Sequence, residues 1–176
     1  MSHGKRSAGL LLFRRTGQAG QAGHTGRTGG PAGPPPDHGI EVLLGHMGGP
    51  LWSGRDAGGW AIPKGEYEAD ETPRNAARRE FTEELGMPPP EGEYLPLGDV
   101  RLGSGKLVTI WAVEADLDPA LMVPGTFSLE WPPHSGTVRQ FPELDRVAWF
   151  APSTAQSKLI PAQVPFLERL LTLLED

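Results

Sequence analysis

Residues 65–87 read GEYEADETPRNAARREFTEELGM and put Glu80, Glu83 and Glu84 within five positions, with Asp70 and Glu71 about ten residues before them. Carboxylates this close repel, and each raises the cost of ionising the next. Such a cluster is either the wet face of a surface helix or a cradle for a cation. Hard divalent cations take oxygen ligands, and grouped carboxylates supply them. With 73–85 on a helix at about 100° per residue, Glu80, Glu83 and Glu84 fall within an arc of roughly 100°. Phe81 and Leu85 stand i and i+4 on the neighbouring stripe and can anchor the helix in a core. Ala76 and Ala77 lie one turn below and leave the acids uncrowded. Arg79 can meet Glu83 at i+4 or fold back towards Glu71.

The elements needed to hold this helix are legible around it. Thr72 is an N-cap, Pro73 suits the first helical position, and Gly86 stands at C′ before the helix-breaking run Pro88–Pro90. "SAGLLLFRR" (7–15), "IEVLLGHM" (40–47), "LVTIWAVEA" (107–115) and "RVAWFA" (146–151) read as strands. In "GGWAIPKGE", Trp60 and Ile62 point the same way on an extended segment that Pro63 ends. "QVPFLERLLTLLE" carries Val164, Leu167, Leu170, Leu171 and Leu174 at helical spacing, an amphipathic helix with a core-facing stripe. Strands and helices in this order imply a mixed α+β or three-layer domain. Residues 17–39, almost free of apolar side chains, read as a flexible Gly/Pro-rich insertion in a single domain spanning 1–176.

The whole chain sets bounds. Its 176 residues suit one core, and a net charge of −6 argues against a basic nucleic-acid surface. No cysteine is present, so disulfides, thiolate metal sites and a cysteine nucleophile are excluded; a reducing cytoplasm is the expected setting. The apolar core AGLLLF of the first strand is too short for a signal peptide, and no membrane span is expected.

The acidic segment resembles the Nudix box, Gly-x5-Glu-x7-Arg-Glu-U-x-Glu-Glu-x-Gly-U with U a bulky apolar residue. Gly65, Glu71, Arg79, Glu80, Phe81, Glu83, Glu84, Gly86 and Met87 fill all nine defined positions. "WAIPKGE" is similar to the strand and turn that lead into the box, here and in diadenosine and diphosphoinositol polyphosphate hydrolases. "EWPPHSG" and "FPELDRVAWF" are similar to a bacterial subgroup described as nucleotide pyrophosphohydrolases. The resemblance implies an α/β/α sandwich with the box as loop-helix-loop, and Mg²⁺- or Mn²⁺-dependent hydrolysis of a nucleoside diphosphate linked to another group. By position, Glu80, Glu83 and Glu84 would hold metal with the Lys64 carbonyl, and Glu71 and Arg79 would brace loop and helix. A further acid is expected from a later loop, with Glu143 the candidate and Glu130 its rival. Either Glu80 or Glu143 would serve as general base.

Lys64, beside Gly65, is the foremost phosphate contact, with Lys106 and Arg55 behind it. Trp52 and Trp131, in Gly/Pro-rich loops, are candidates to stack on a base, whereas Trp60 and Trp111 belong to strands and a core. His46 and His134 read as ordinary loop residues. The implied partner is a nucleotide or related diphosphate: a nucleoside polyphosphate, a nucleoside diphosphate derivative or a dinucleoside polyphosphate. The alternative from another class is a non-catalytic Nudix module that binds a nucleotide and regulates a partner. Such modules lose box acids, and this chain keeps them.

Overall fold

The computed structural model describes residues 4–16 and 38–176. The expected insertion at 17–39 lies outside them, except for the turn at His38 and Gly39 that leads into the second strand. Nine strands and three α-helices follow in the order β1 (Arg6–Arg15), β2 (Ile40–Met47), β3 (Trp60–Ala61), β4 (Lys64–Glu66), α1 (Pro73–Leu85), β5 (Tyr94–Arg101), β6 (Leu107–Glu114), β7 (Thr126–Glu130), β8 (Val138–Pro142), β9 (Leu144–Phe150), α2 (Pro152–Lys158) and α3 (Val164–Glu175).

β1 is the spine. Seven of its ten residues are buried without alternation, the signature of a strand covered on both faces. Ala8, Leu10 and Leu12 pack with Ala76, Ala77, Phe81 and Leu85 of α1. Leu11 and Phe13 pack on the other face with Ala155 of α2 and Phe166, Leu167 and Leu170 of α3. The expected α/β/α sandwich follows directly from this two-sided burial.

β1 runs parallel to β6 from Arg6↔Leu107 to Phe13↔Glu114, and every other pairing is antiparallel. Seven strands form the main sheet, ordered β3-β2-β1-β6-β5, with β9 on β2. The second edge of β1 is shared. β2 takes its C-terminal end (Phe13↔Val42) and β4 its N-terminal end (Gly9↔Lys64). The chain between β3 and β4 therefore passes from the β2 edge to the β1 edge and lies close against β1. A Cβ on Gly9 would lie 2.2 Å from the Pro63 carbonyl oxygen and 2.6 Å from Lys64 Cβ. β7 and β8 pair only with each other, as a hairpin beside the main sheet.

α1 begins and ends as its sequence dictates. Thr72 Oγ1 accepts the Asn75 N–H at 3.3 Å, and Pro73 opens the first turn. Gly86 takes the left-handed conformation at φ 71°, and its N–H reaches the Thr82 carbonyl at 2.8 Å. β5, the hairpin and α2 were not foreseen. β5 carries Pro96 and Gly98, residue types depleted in strands, and buries only Leu97 fully, which hides its strand character.

The seating of β4 on β1 has a measurable consequence. Gly9→Ala should lower stability by about 1–3 kcal/mol, the range for forcing extra volume into a packed site. A lower urea midpoint at unchanged m-value would register it, and a variant as stable as the wild type would contradict the close approach.

Candidate functional site

Four pieces of chain meet at the N-terminal end of β4: the box loop, α1, the β8–β9 junction and the loop at 48–59. The closest contact lies inside the box. A Cβ on Gly65 would fall 2.0 Å from the Glu80 carboxyl, so only glycine lets that carboxyl lie against the β4 backbone. Beside it, Glu84 Oε2 accepts the Lys64 N–H at 3.2 Å.

Arg79 ties the loop to the helix. Its guanidinium grips Glu71 with two bonds, at 2.8 and 2.9 Å, and donates to the Glu66 carbonyl at 3.2 Å. It also reaches Glu80 at 2.7 Å and Glu83 at 3.2 Å. A planar fork with five donors can serve all of these at once, which an ammonium cannot. Hydrogen bonding to Arg79 holds the Glu71 carboxyl below the usual range.

The remaining acids are pushed the other way. Burial raises the Glu84 carboxyl to about 8, with repulsion from Glu143 and Glu80 adding to it against the attraction of Lys64. Burial also raises Glu80, against its bonds to Arg79, and raises Glu143, where Glu83 adds repulsion. The Lys64 ammonium is lowered by burial and by Lys106. Among the described residues, no three His, Asp or Glu side chains stand close enough together to hold a metal as they are now turned. The three-glutamate face expected on α1 is instead divided: Arg79 engages Glu80 and Glu83, and the Lys64 N–H engages Glu84.

Glu143 comes from the β8–β9 junction. Its carbonyl accepts the Gly48 N–H at 2.9 Å, and its own N–H reaches the Gly125 carbonyl at 2.8 Å. Gly125 sits where a Cβ would be 2.7 Å from the Glu83 carbonyl oxygen and 3.2 Å from the Glu143 carboxylate. Glu143, and not its rival Glu130, lines the neighbouring cavity of about 340 Å³. Lys64, Glu84 and Glu143 give that cavity a polar floor, and Leu51, Trp52, Phe127 and Leu129 give it an apolar wall.

The other candidates separate. Trp52 lines the cavity; Arg55 does not, its guanidinium lying over the Trp52 ring at 5.4 Å. Trp131 stands at the hairpin tip, bonding Thr137, and exposed His134 lies in the same turn. Trp60 is buried against Phe150, and Trp111 is half-buried on the α1 face. Lys106 pairs with Glu66 at 3.0 Å. His46 is no loop residue. It is a buried strand residue in β2 with polar partners on both ring nitrogens. Phe127, Leu129, Gly48 and Gly125 were missed, because nothing local marks residues that matter only through long-range packing.

A family pattern described as NUDIX domain matches residues 36–170. The CTP pyrophosphohydrolase of Escherichia coli (strain K12) is 32% identical over 118 residues, covering 66% of this chain and 74% of that protein. The RNA pyrophosphohydrolase of Cellvibrio japonicus (strain Ueda107) is 40% identical over 62 residues, covering 34% of this chain and 36% of that protein. An Ap4A hydrolase from C. elegans superposes with a TM-score of 0.58 at 18% identity, covering 96% of this chain and 98% of that one, a likeness of fold. With the pattern matched over most of its length, the chain belongs to the NUDIX domain family and is a Nudix-type hydrolase.

Proposed function

We propose that this protein is a Mg²⁺-dependent pyrophosphohydrolase, with Mn²⁺ an alternative ion, acting on a nucleoside polyphosphate, a nucleoside diphosphate derivative or a dinucleoside polyphosphate. A nucleoside triphosphate stands first among these, given the similarity to a CTP pyrophosphohydrolase across 66% of the chain. The observation that carries the reading is the cavity itself, which joins an apolar wall containing Trp52 to a floor of Lys64, Glu84 and Glu143. An aromatic base suits the wall and a phosphate chain suits the floor.

The donor set fits a hard divalent cation. It offers carboxylate oxygens and no sulfur, and burial with mutual repulsion keeps the Glu84, Glu80 and Glu143 carboxyls raised. Glu80, Glu83 and Glu84 would hold the ion with the Lys64 carbonyl. When bound, it neutralises phosphate oxygens and acidifies a water. Arg79 keeps Glu71 and α1 in fixed relation and can release Glu83, the most exposed of its partners. Lys64, half-buried beside the acids, meets the phosphate chain as a point charge. Glu143, whose carboxylate meets no hydrogen-bond donor among the described residues, would accept the water's proton, with Glu80 the alternative for that role.

Incubation with a nucleotide panel should release phosphate or nucleoside monophosphate with Mg²⁺ and not with a chelator. Release from no member of the panel would overturn the reading. Glu84→Gln should cut turnover by at least about 10²-fold, the scale of a lost proton-transfer or charge-stabilising group, with unchanged circular dichroism.

The raised Glu84 carboxyl makes a second expectation. Between the ordinary carboxylate value, near 4.5, and its folded value, about 8, the folded protein holds a proton that the unfolded chain has released. Its stabilisation is therefore complete below pH 4.5 and is lost as pH rises towards 8. Without divalent cation, thermal midpoints should fall from pH 5.5 to 8. Adding Mg²⁺ should raise the midpoint more at pH 8 than at 5.5, and Glu84→Gln should flatten both trends. Equal Mg²⁺ shifts at the two values would sink it.

A further inference from the structure

Among the described residues, the buried polar side chains are Ser7, His46 and Gln163. Gln163 accepts the Ile62 N–H at 2.8 Å and braces the β3–β4 link. His46, at 1% exposure, has an acceptor facing each ring nitrogen: Asp145 Oδ1 at 2.8 Å from Nδ1, and the Arg55 carbonyl at 2.5 Å from Nε2. Each ring nitrogen thus has a polar partner, and the ring spans from β9 to the loop at 48–59. Trp60 packs edge-on against it, with ring centres 5.2 Å apart.

What His46 grips is the turn that carries Trp52. The Arg55 N–H bonds the Trp52 carbonyl at 2.9 Å, and the Arg55 guanidinium lies over the Trp52 ring. The far end of the loop has its own anchors: Asp56 accepts from Trp60 Nε1 at 3.0 Å and pairs with Lys158 at 2.6 Å. The near end is held by the Gly48 N–H on Glu143. Between those anchors, the His46 ring bonds the backbone at Arg55. Among the described residues, its side-chain partners are Asp145, Arg55 and Trp60, not the acids of α1 or Lys64.

We propose that His46 is a positioning residue for substrate: by bridging Asp145 to the Arg55 carbonyl it fixes Trp52 in the cavity wall, and so governs binding of the base rather than cleavage of the phosphoanhydride. The proposal rests on the reading of the cavity as a nucleotide site. A carboxamide presents its donors at one end and cannot span both acceptors. Loosening the turn therefore weakens the aromatic contact while the acids stay in place.

Steady-state kinetics on the nucleoside triphosphate that the wild type hydrolyses fastest provide the test, with inorganic pyrophosphate as a base-free competitor. His46→Gln should raise KM about tenfold, the worth of one or two hydrogen bonds, with kcat within about twofold and pyrophosphate inhibition unchanged. Asp145→Ala, at a position exposed enough to leave the core intact, should shift KM in the same direction and keeps the test open if the buried variant misfolds. Trp52→Ala should raise KM as well, and His46→Gln added to it should raise KM no further, because both act through one contact. A fall in kcat at unchanged KM, a parallel loss of pyrophosphate inhibition, or additive effects in the double variant would overturn the role of His46. A wild type inactive on every phosphoanhydride would instead overturn the nucleotide reading beneath it.

Discussion

The guanidinium of Arg79 meets Glu71, Glu80, Glu83 and the Glu66 carbonyl, and the geometry of the box depends on that meeting. The segment from Glu68 to Thr72, past the Tyr67 N–H that still bonds the Arg6 carbonyl of β1, has no strand pairing to fix it. Its position relative to α1 is set by a bidentate grip on Glu71 and a bond to the chain at Glu66. Because one planar group supplies all of these, loop and helix move as one body. The same cation offsets part of the repulsion among the acids, yet no bond from it extends to Glu84 or Glu143. On the cavity side the opposing cation is Lys64, and burial there still raises the Glu84 and Glu143 carboxyls.

A second constraint is close approach. Gly9 lets β4 lie close against β1, Gly65 lets the Glu80 carboxyl lie on β4, and Gly125 lets the hairpin base reach α1 beside Glu143. Gly48 has the Pro142 carbonyl where its Cβ would be. At each point two backbones, or a backbone and a carboxyl, come nearer than a methyl group allows. The acidic groups are thus brought together by absent side chains as much as by present ones.

This explains which parts could be read from the sequence. The helix, its caps, its buried Phe81 and Leu85 and the run of acids depend on spacing along the chain, and spacing is visible. β1 was legible as a strand from its apolar run, while its burial on both faces emerged only with the helices packed on it. The division of the acids between Arg79 and the Lys64 N–H was not visible, since i,i+3 and i,i+4 geometry gives a shared face but not the partner each side chain selects. His46 was misread for the same reason: its partners, Asp145 and Arg55, are set by the β2–β9 register and a loop, neither of which local pattern reveals.

The two halves of the cavity therefore have different origins. Its floor comes from β4, α1 and the β8–β9 junction, three pieces locked by the core, by Arg79 and by glycine contacts. Its wall comes from the 48–59 loop and from a hairpin whose strands pair only with each other. Phe127 closes over Gly49, where a Cβ would lie 2.9 Å from the ring, so loop and hairpin meet each other as well as the floor. On the proposed function, hydrolysis of a phosphoanhydride, which demands fixed oxygens, falls to the half locked by the core. Recognition of what is attached to the phosphates belongs to the half hung on few anchors, where a change in sequence alters the wall without disturbing the acids.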